Sequence, residues 1–407
     1  MKIAINGAGV AGPALAYWLH RNGHEPTLIE KAPALRTGGY VIDFWGVGYT
    51  VAERMGLLPE VLKAGYSFHE LRFVDDRGQR EGGFSVDVFQ KTTQGRLTSV
   101  PRGDLASIIY KSVESKVETL FGNSIRAIDE HDDGVDVTFD DGSSRAFDLV
   151  VGADGLHSRV RKLVFGPEAE FANDLGYRVA TFMIDGYRPR DEGFYVIHGA
   201  PGRQCARLAL RNGRTAFLLV FSADLVQGPE PASVAETRTL LRTVYGDMGW
   251  ECPQILDAIW DVNDIYFDRV SQIRMPAWSK GRTILIGDAA AAVSLLAGEG
   301  TCLALAEAYV LAGELERAEG NYLQAFQAYE RSLRPFLKGK QKAAQGFASS
   351  VVPETRFGMW VRNQATRLMR LPKMTEMLMG GTMRDDFDLP DYGNGAESTV
   401  PAVPAGR

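Results

Sequence analysis

The fold is decided by residues 2–19, which read KIAINGAGVAGPALAYWL. A β-branched apolar run is followed by three glycines in the spacing G-x-G-x-x-G and then by helix-forming residues, which predicts strand, tight turn and helix. Gly7 makes the turn, Gly9 lets the backbone approach a pyrophosphate, and Gly12 lets the helix pack closely against the strand. The free N–H groups and the dipole at the helix start, around Ala11, would hold the phosphates.

A second predicted strand, residues 26–29, ends at Glu30. An acid about 20 residues beyond the glycines binds the ribose hydroxyls in dinucleotide folds. Lys31, which follows Glu30, joins the candidate cofactor-binding residues. A glycine-rich turn without a ligand would show the same three glycines, but here the strand, the helix and the acid are all in place. We therefore predict that a dinucleotide binds at this turn.

Length and composition narrow the class of protein. The 407 residues are enough for two domains that share one crevice. A net charge of −6 with 24% charged residues argues against a nucleic-acid binder, which would carry a basic stripe. The three cysteines are odd in number and lack the spacing of metal ligands, so we expect no metal site and a reducing setting.

The start of the chain and the length of its apolar runs predict a soluble cytoplasmic protein. The first predicted strand begins at residue 2 and leaves no room for a signal peptide. The longest apolar run, residues 289–297, is too short to cross a bilayer. A basic amphipathic stretch, residues 356–370, fits a membrane surface, but a C-terminal helix packed on the enzyme with its arginines outward is the favoured interpretation.

Hydrophobic patterns predict two kinds of structure along the chain. Elements of the first domain are predicted as helices at 48–55, 59–64 and 101–115 and strands at 117–121, 124–129, 135–139 and 148–153. Short strands with glycine-containing turns, typical of an antiparallel sheet, are predicted at 71–75, 84–88, 178–184, 194–198, 206–210 and 215–221. The chain returns to the first domain at residues 283–286, a helix follows over 299–318, and further helices reach about residue 379. The second sheet is therefore an insertion in the first domain.

Three separated motifs resemble those of the class A, single-component FAD-dependent flavoprotein monooxygenases. They are residues 7–12 with Glu30, GADGLHSRVR at 152–161, and GDAA at 287–290, which continues to Gly-Glu-Gly at 298–300. The resemblance covers residues 1–330 and is close to the aromatic hydroxylases and the tetracycline-type monooxygenases. It implies an α/β protein with a Rossmann-like FAD-binding domain, an inserted antiparallel-sheet substrate domain and a C-terminal helical segment.

Domain boundaries follow from this resemblance. The FAD-binding domain is expected at 1–70, 100–170 and 280–330, and the substrate or lid domain at 71–99 and 171–279. C-terminal helices are expected at 331–387, followed by a loose tail at 388–407. We expect a monomer or a homodimer.

The resemblance also implies which residues hold the cofactor. Asp288, in the motif that begins at Gly287, binds the ribityl or pyrophosphate part of FAD. Asp154 and Gly155 are associated with both flavin and reduced-nicotinamide binding, and Arg102 matches an arginine that contacts the flavin.

The flavin ring is expected between two backbone segments. Gly38 and Gly39 match the loop beside the isoalloxazine ring. The backbone N–H groups of Gly300, Thr301 and Cys302, at a helix start, would stabilise the negative charge of a reduced flavin near N1 and O2.

The sequence departs from the family where the ring would meet the substrate. A histidine, two prolines and an asparagine of the family correspond here to Ala291, Ser294, Leu295 and Cys302. The changed positions put substrate positioning, and hydroxylation itself, in question. The backbone can supply the contact of the lost asparagine, so FAD binding is still expected.

The implied activity is hydroxylation of a bulky aromatic or polycyclic small molecule, with NADPH or NADH as reductant and O2 as oxidant, through a flavin C4a-hydroperoxide. No catalytic side chain is assigned. Tyr195, His198 and Arg207 on the lid strands are candidates to face the ring, although ordinary sheet residues would look the same. His157 is expected to cap a loop near Asp154. Open alternatives are a flavin-dependent reductase or dehydrogenase on the same scaffold and a non-catalytic flavin- or ligand-binding protein.

Overall fold

The computed structural model describes residues 1–35, 38, 40–369 and 385–393, except for the side chains of 347–349. Its strands, in chain order, are β1 Lys2–Asn6, β2 Glu25–Glu30, β3 Val41–Trp45, β4 Glu70–Val74, β5 Arg80–Ser85, β6 Leu97–Pro101, β7 Glu118–Phe121, β8 Ile125–His131, β9 Gly134–Phe139, β10 Ser144–Phe147, β11 Leu149–Gly152, β12 Ala172–Asp185, β13 Phe194–Ala200, β14 Arg203–Ala209, β15 Arg214–Ser222, β16 Tyr266–Ile273, β17 Ser279–Lys280 and β18 Thr283–Leu285.

The helices follow the same numbering. They are α1 Ala11–Arg21, α2 Gly46–Arg54, α3 Leu58–Ala64, α4 Asp87–Thr92, α5 Arg102–Lys111, α6 Arg159–Val164, α7 Val234–Tyr245, α8 Cys252–Ala258, α9 Asp288–Ala291, α10 Gly300–Arg317, α11 Tyr322–Val351 and α12 Arg356–Leu368. None of them, within the described residues, is long and apolar enough to cross a membrane.

The first sheet has the strand order β17-β18-β11-β1-β2-β7, and every pair except β17–β18 is parallel. Residues 3–5 of β1 are fully buried, as expected for the centre of a parallel sheet covered on both faces. Asn6 pairs with Gly152, and Gly152 pairs with Leu285, so the carboxyl ends of β1, β11 and β18 lie side by side. The three sequence motifs, which follow these strand ends, therefore meet at one edge of the sheet.

The second sheet has the order β16-β12-β15-β14-β13-β4-β5. It is antiparallel except between β13 and β4, which pair in parallel. β4 and β5 come before the other five strands of this sheet in the chain, and a long part of the first domain separates β4 from β13. Two strands joined by so long a connection can pair in parallel, whereas a short hairpin joins only antiparallel strands. The two-domain α/β architecture expected from the sequence is confirmed.

One strand was placed wrongly by the sequence pattern. Residues 84–88 alternate between apolar and polar and predicted a strand, but β5 ends at Ser85 and residues 87–92 form α4. The pair Gly82-Gly83 lies inside the strand, where Gly83 has φ +120° and a Cβ would lie 2.1 Å from Leu71 O. The backbone of Leu71 therefore approaches too closely for any residue but glycine at position 83, and the glycine pair does not end the strand.

The end of the described chain packs on the first domain. Pro390 O accepts hydrogen bonds from Arg54 Nη1 at 2.8 Å and Tyr309 Oη at 2.9 Å, and Tyr392 Oη donates to Glu314 Oε1 at 2.7 Å. The expectation of a loose tail is therefore wrong for residues 388–393. Residues 394–407 lie outside the described chain, as does the part of the predicted C-terminal helices at 370–384. The domain boundaries given above stay predictions.

Candidate cofactor and substrate site

The glycine turn between β1 and α1 leaves a cradle beside Arg102. Gly7 has φ +112°, and a Cβ there would lie 2.4 Å from Ala153 O; a Cβ at Gly12 would lie 1.9 Å from Gly7 O. These two glycines are required by packing. At Gly9 a Cβ would meet only Arg102 Nη2, at 3.7 Å. The backbone at Gly9 is therefore open toward a guanidinium, which suits the approach of a phosphate.

Glu30 is fixed next to this turn. Its Oε2 accepts a hydrogen bond from Ala8 N and its Oε1 accepts one from Ala32 N, both at 2.9 Å. A carboxylate held by two backbone donors keeps one orientation and retains lone pairs for ribose hydroxyls. Lys31 is exposed. The contacts of Glu30 and Lys31 with a cofactor stay predictions.

Asp288 begins α9 at the carboxyl edge of the parallel sheet. Gly287, with φ +62°, makes the turn that delivers it, and a Cβ at Gly300 would lie 3.4 Å from Asp288 Oδ1. Surrounding protein raises the pKa of Asp288, and the positive charge of Arg102 opposes that increase. Within the described residues no hydrogen-bond donor or cation pairs with this carboxyl, so it is an unpaired acceptor aimed into the crevice.

The start of α10 faces Asp288. Gly300 and Thr301 line the crevice together with Tyr40, Ile42 and Leu295. Cys302 is buried, and a Cβ on Gly48 of α2 would lie 2.5 Å from its Cα, so the two helices touch there. The cradle at Gly9, the unpaired Asp288 and the helix start thus fit the phosphates, the sugar part and the ring edge of FAD.

Asp154 holds the second motif, residues 152–161, in place through hydrogen bonds. Its carboxylate accepts hydrogen bonds from Asn6 Nδ2 at 2.8 Å, Ser158 Oγ at 2.5 Å, and the backbone N–H groups of Arg159 at 2.8 Å and Val160 at 3.1 Å. These bonds tie the end of β1 to the start of α6. Gly155 follows with φ +81°. The direct contacts of Asp154 and Gly155 with flavin or nicotinamide stay predictions.

The loop expected beside the flavin ring is described only in part. A Cβ at Gly38 would lie 2.7 Å from Asp264 Oδ2, so this loop approaches the inserted domain. Gly39 lies outside the described residues. Ser294 and Leu295, two of the positions that depart from the family, line the crevice near Asp288.

Tyr195, His198 and Arg207 do not come together. Tyr195 packs with Leu208, Met183 and Tyr66 on the face of the second sheet that looks toward β3. The opposite face, which carries Phe217, is covered by α7 and α8. Residues of one strand alternate between faces, so Tyr195 and His198 lie on opposite sides.

His198 and Arg207 belong to the covered face. His198 Nδ1 lies 3.0 Å from Val74 O, and its ring centre lies 5.9 Å from that of Trp250. Arg207 is 1% exposed and donates to Glu251 Oε1 at 2.8 Å and Asp191 Oδ2 at 2.6 Å. The expectation that these two side chains face the ring is therefore wrong, because they hold α8 and its preceding turn against the sheet.

His157 joins the two domains. Its Nδ1 lies 2.9 Å from Glu168 Oε1 and its Nε2 lies 3.0 Å from Asp268 Oδ2 on β16. The hydrogen bond with Asp268 is the main cause that raises the pKa of His157 to about 9. The expectation that His157 caps the loop at Asp154 is wrong; Ser158 caps α6 instead, by accepting from Arg161 N.

Two acidic residues near the site were missed from the sequence. Glu307 on α10 is 1% exposed, and its Oε2 accepts from Gly287 N at 2.7 Å and Tyr329 Oη at 2.9 Å. Asp43 on β3 is exposed between buried Ile42 and Phe44. An acid in the middle of an apolar helix or strand is the only signal that the sequence offers for either residue.

Glu307 makes the stability of the protein depend on pH. Burial raises its pKa to about 8, so the folded state keeps a proton that the unfolded chain loses near the ordinary value of about 4.5. Between these values the folded state binds more protons, and the free energy of unfolding falls as pH rises. In Glu307→Gln, which keeps an acceptor for Gly287 N, we expect a flatter pH dependence and a growing advantage over wild type up to about pH 8. Melting curves from about pH 5 to 9 measure this, and parallel curves for both proteins would contradict it.

Residues 1–336 match the family described as FAD binding domain. A flavin-dependent monooxygenase from an unknown prokaryotic organism is 34% identical over 367 residues, which cover 88% of this chain and 89% of that protein.

Two solved structures share the whole architecture. The tetracycline destructase Tet(51) has a TM-score of 0.82 and 32% sequence identity, covering 96% of this chain and 99% of its own. HpxO of Klebsiella pneumoniae, complexed with FAD and uric acid, has a TM-score of 0.77, with 97% of each chain covered. At 20% identity the second structure shows the shared fold alone.

Proposed function

We propose, because this chain belongs to the family of class A FAD-dependent monooxygenases, that it hydroxylates a bulky aromatic or polycyclic small molecule with O2 and with NADPH or NADH as reductant. The matches to the FAD-binding family and to its relatives confirm the resemblance drawn from the three motifs, and with it FAD as the cofactor. The substrate, the reductant and the route of oxygen transfer are the proposed part.

One observation supports the proposal above the others. The crevice at Asp288 and Gly300 is lined by Tyr40, Ile42 and Leu295 among others, and the face of the second sheet that looks toward β3 is rich in aromatic and aliphatic side chains. Tyr66 and Phe68 stack with an interplanar angle of 2° at its margin. An apolar surface opposite a polar cofactor cradle suits a flat apolar ring system, and a related protein at 32% identity is a tetracycline destructase.

The residues of this chain have separate tasks in the proposed reaction. Glu30, Arg102 and Asp288, with the backbone at Gly9 and at the start of α10, bind and orient FAD. FAD supplies the redox chemistry with O2, which no side chain provides. The face of the second sheet that looks toward β3 excludes water and positions the ring of the substrate.

Labelled oxygen tests the proposal. The purified protein is mixed with NADPH or NADH, isotopically labelled O2 and a panel of phenols and polycyclic compounds that includes tetracycline. We expect one compound at least to accelerate NAD(P)H oxidation and to gain one labelled oxygen atom. Acceleration without label in any product would favour the reductase or dehydrogenase alternative, and no acceleration would favour a non-catalytic ligand-binding protein.

The proposal includes a reducing cytoplasmic setting and a monomer or homodimer. Cys205, Cys252 and Cys302 are unpaired and buried, which suits a reducing cytoplasm. A monomer or homodimer, with no nucleic-acid partner and with α12 packed on the enzyme and not on a membrane, stays the expectation. Sedimentation of the purified protein checks the oligomeric state.

A further inference from the structure

We propose that Asp43 accepts the hydrogen bond, and then the proton, of the hydroxyl group of a phenolic or enolic substrate, an assignment that rests on the proposed hydroxylation. Asp43 is exposed in the middle of β3, whereas its neighbours Ile42 and Phe44 are 3% and 0% exposed. Val41, on the same side of the strand as Asp43, packs against the same buried cluster of the second sheet as Tyr195. The carboxyl therefore points into the space between the two domains.

This space lies between the expected ring site and the substrate sheet. Cys302, in the first turn of α10, places its Sγ 3.8 Å from Asp43 O. The side chain of Tyr195 lies on the other side, close enough for the charge of Asp43 to act on its hydroxyl. A substrate ring that reaches the predicted flavin edge would pass this carboxyl.

One oxygen of Asp43 is engaged and the other is available. Ser99 Oγ, across the β3–β6 pair, donates to Oδ1 at 2.5 Å. Oδ2 accepts no hydrogen bond from the described residues, and no lysine, arginine or histidine of that part of the chain forms an ion pair with it. The serine bond fixes the carboxyl and leaves Oδ2 as an acceptor for an incoming hydroxyl.

The surroundings make the carboxylate a stronger base than an aspartate in water. Although solvent reaches the Asp43 side chain, the protein that surrounds it desolvates the carboxyl and raises its pKa, and the hydrogen bond from Ser99 partly opposes the increase. The groups that face it, the Tyr195 hydroxyl and the Cys302 thiol, have pKa values that burial also raises, so both stay neutral near neutral pH.

The proton transfer balances without any further reactant. The O–H bond of the substrate breaks, the proton moves to Oδ2, and the electron pair remains on the substrate oxygen. That oxygen then donates electron density into the ring, which makes the carbon next to it or opposite it the better nucleophile for an electrophilic oxygen. A base of this kind typically contributes about 10²- to 10⁴-fold in rate.

Binding of two phenols tests the assignment without turnover. At about pH 8 para-cresol is neutral, because it is a phenol like Tyr with a pKa near 10, whereas pentafluorophenol is already ionised. Both are titrated against the FAD-loaded wild type, Asp43→Asn and Ser99→Ala by equilibrium dialysis. For Asp43→Asn we expect para-cresol to bind about 10- to 100-fold more weakly, since a hydrogen bond to a charged acceptor is lost, and pentafluorophenolate to bind as tightly or more tightly, since a like charge is removed.

Ser99→Ala keeps the carboxylate and is expected to retain the wild-type order of the two ligands. FAD content and melting temperature show that each variant is folded. Weaker binding of both phenols by Asp43→Asn, or unchanged binding of both, overturns the assignment. Labelled-oxygen incorporation by the wild type is measured in parallel, so a failure of the proposed hydroxylation is read from the wild type alone and not from the variant.

Discussion

Replacing Gly12 with alanine is expected to abolish FAD retention and to lower the melting temperature of the protein. A Cβ at this position would lie 1.9 Å from Gly7 O and 3.1 Å from Gly7 C, and both atoms belong to backbone. Neither atom can rotate away, so α1 must move off β1 or the glycine turn must open. Overpacking of this kind costs about 1–3 kcal/mol, and it deforms the segment expected to hold the phosphates.

The measurement is the ratio of FAD to protein after gel filtration, together with a melting curve. Gly339→Ala is the matched control, because Gly339 lies in α11 with no atom within 4 Å of the position of a Cβ. Alanine there is expected to be neutral or stabilising, since it favours a helix. A Gly12→Ala protein that retains a full complement of FAD would show that the glycine turn is not part of the cofactor site.

Replacing Arg207 with leucine is expected to lower the free energy of unfolding by about 3–5 kcal/mol while leaving FAD affinity unchanged. Arg207 is 1% exposed and its guanidinium holds the carboxylates of Glu251 and Asp191. Burial raises the pKa of Glu251, and Arg207 opposes that increase. Without the arginine, Glu251 either remains an unpaired buried charge or takes up a proton, and both outcomes are costly.

Chemical denaturation of three variants checks this role. The double variant Arg207→Leu with Glu251→Gln is expected to recover part of the loss, since no unpaired buried charge remains. Arg145→Leu removes an exposed ion pair, with side chains 45% and 50% exposed, and is expected to cost at most about 1 kcal/mol. If Arg207→Leu kept its stability but lost substrate-dependent activity, Arg207 would belong to the substrate site after all.

Local sequence patterns were sufficient to predict the strand, the turn and the helix that open the first domain. The G-x-G-x-x-G turn, its flanking strand and helix and Glu30 are contiguous, and their chemistry is set by spacing along one segment. The Gly287-Asp288 turn and the start of α10 were identified through their resemblance to motifs of the family. Such motifs can be recognised in a sequence because the requirement for glycine depends on the backbone conformation of a few neighbouring residues.

Contacts between distant segments were beyond the sequence. Glu307 reaches Gly287 across 20 residues, and Arg54 reaches Pro390 across 336. Nothing in the local composition of either segment specifies its partner. For the same reason residues 388–393 were expected to be loose, since the Pro, Gly and Ala content of the tail from residue 388 does not reveal the surface of α10 that receives them.

The sequence by itself determined the parallel sheet, the cofactor motifs and the alternation of side chains along each strand of the second sheet. Only the tertiary structure decided which face of that sheet looks toward β3 and the first domain. Alternation places Tyr195 and His198 on opposite faces, but a sheet has two faces of equal geometry, and α7 and α8 determine which one is covered. Because α7 and α8 cover the face that carries His198 and Arg207, these two side chains pack inside the second domain. Tyr195, on the other face, lies opposite Asp43 of the first domain.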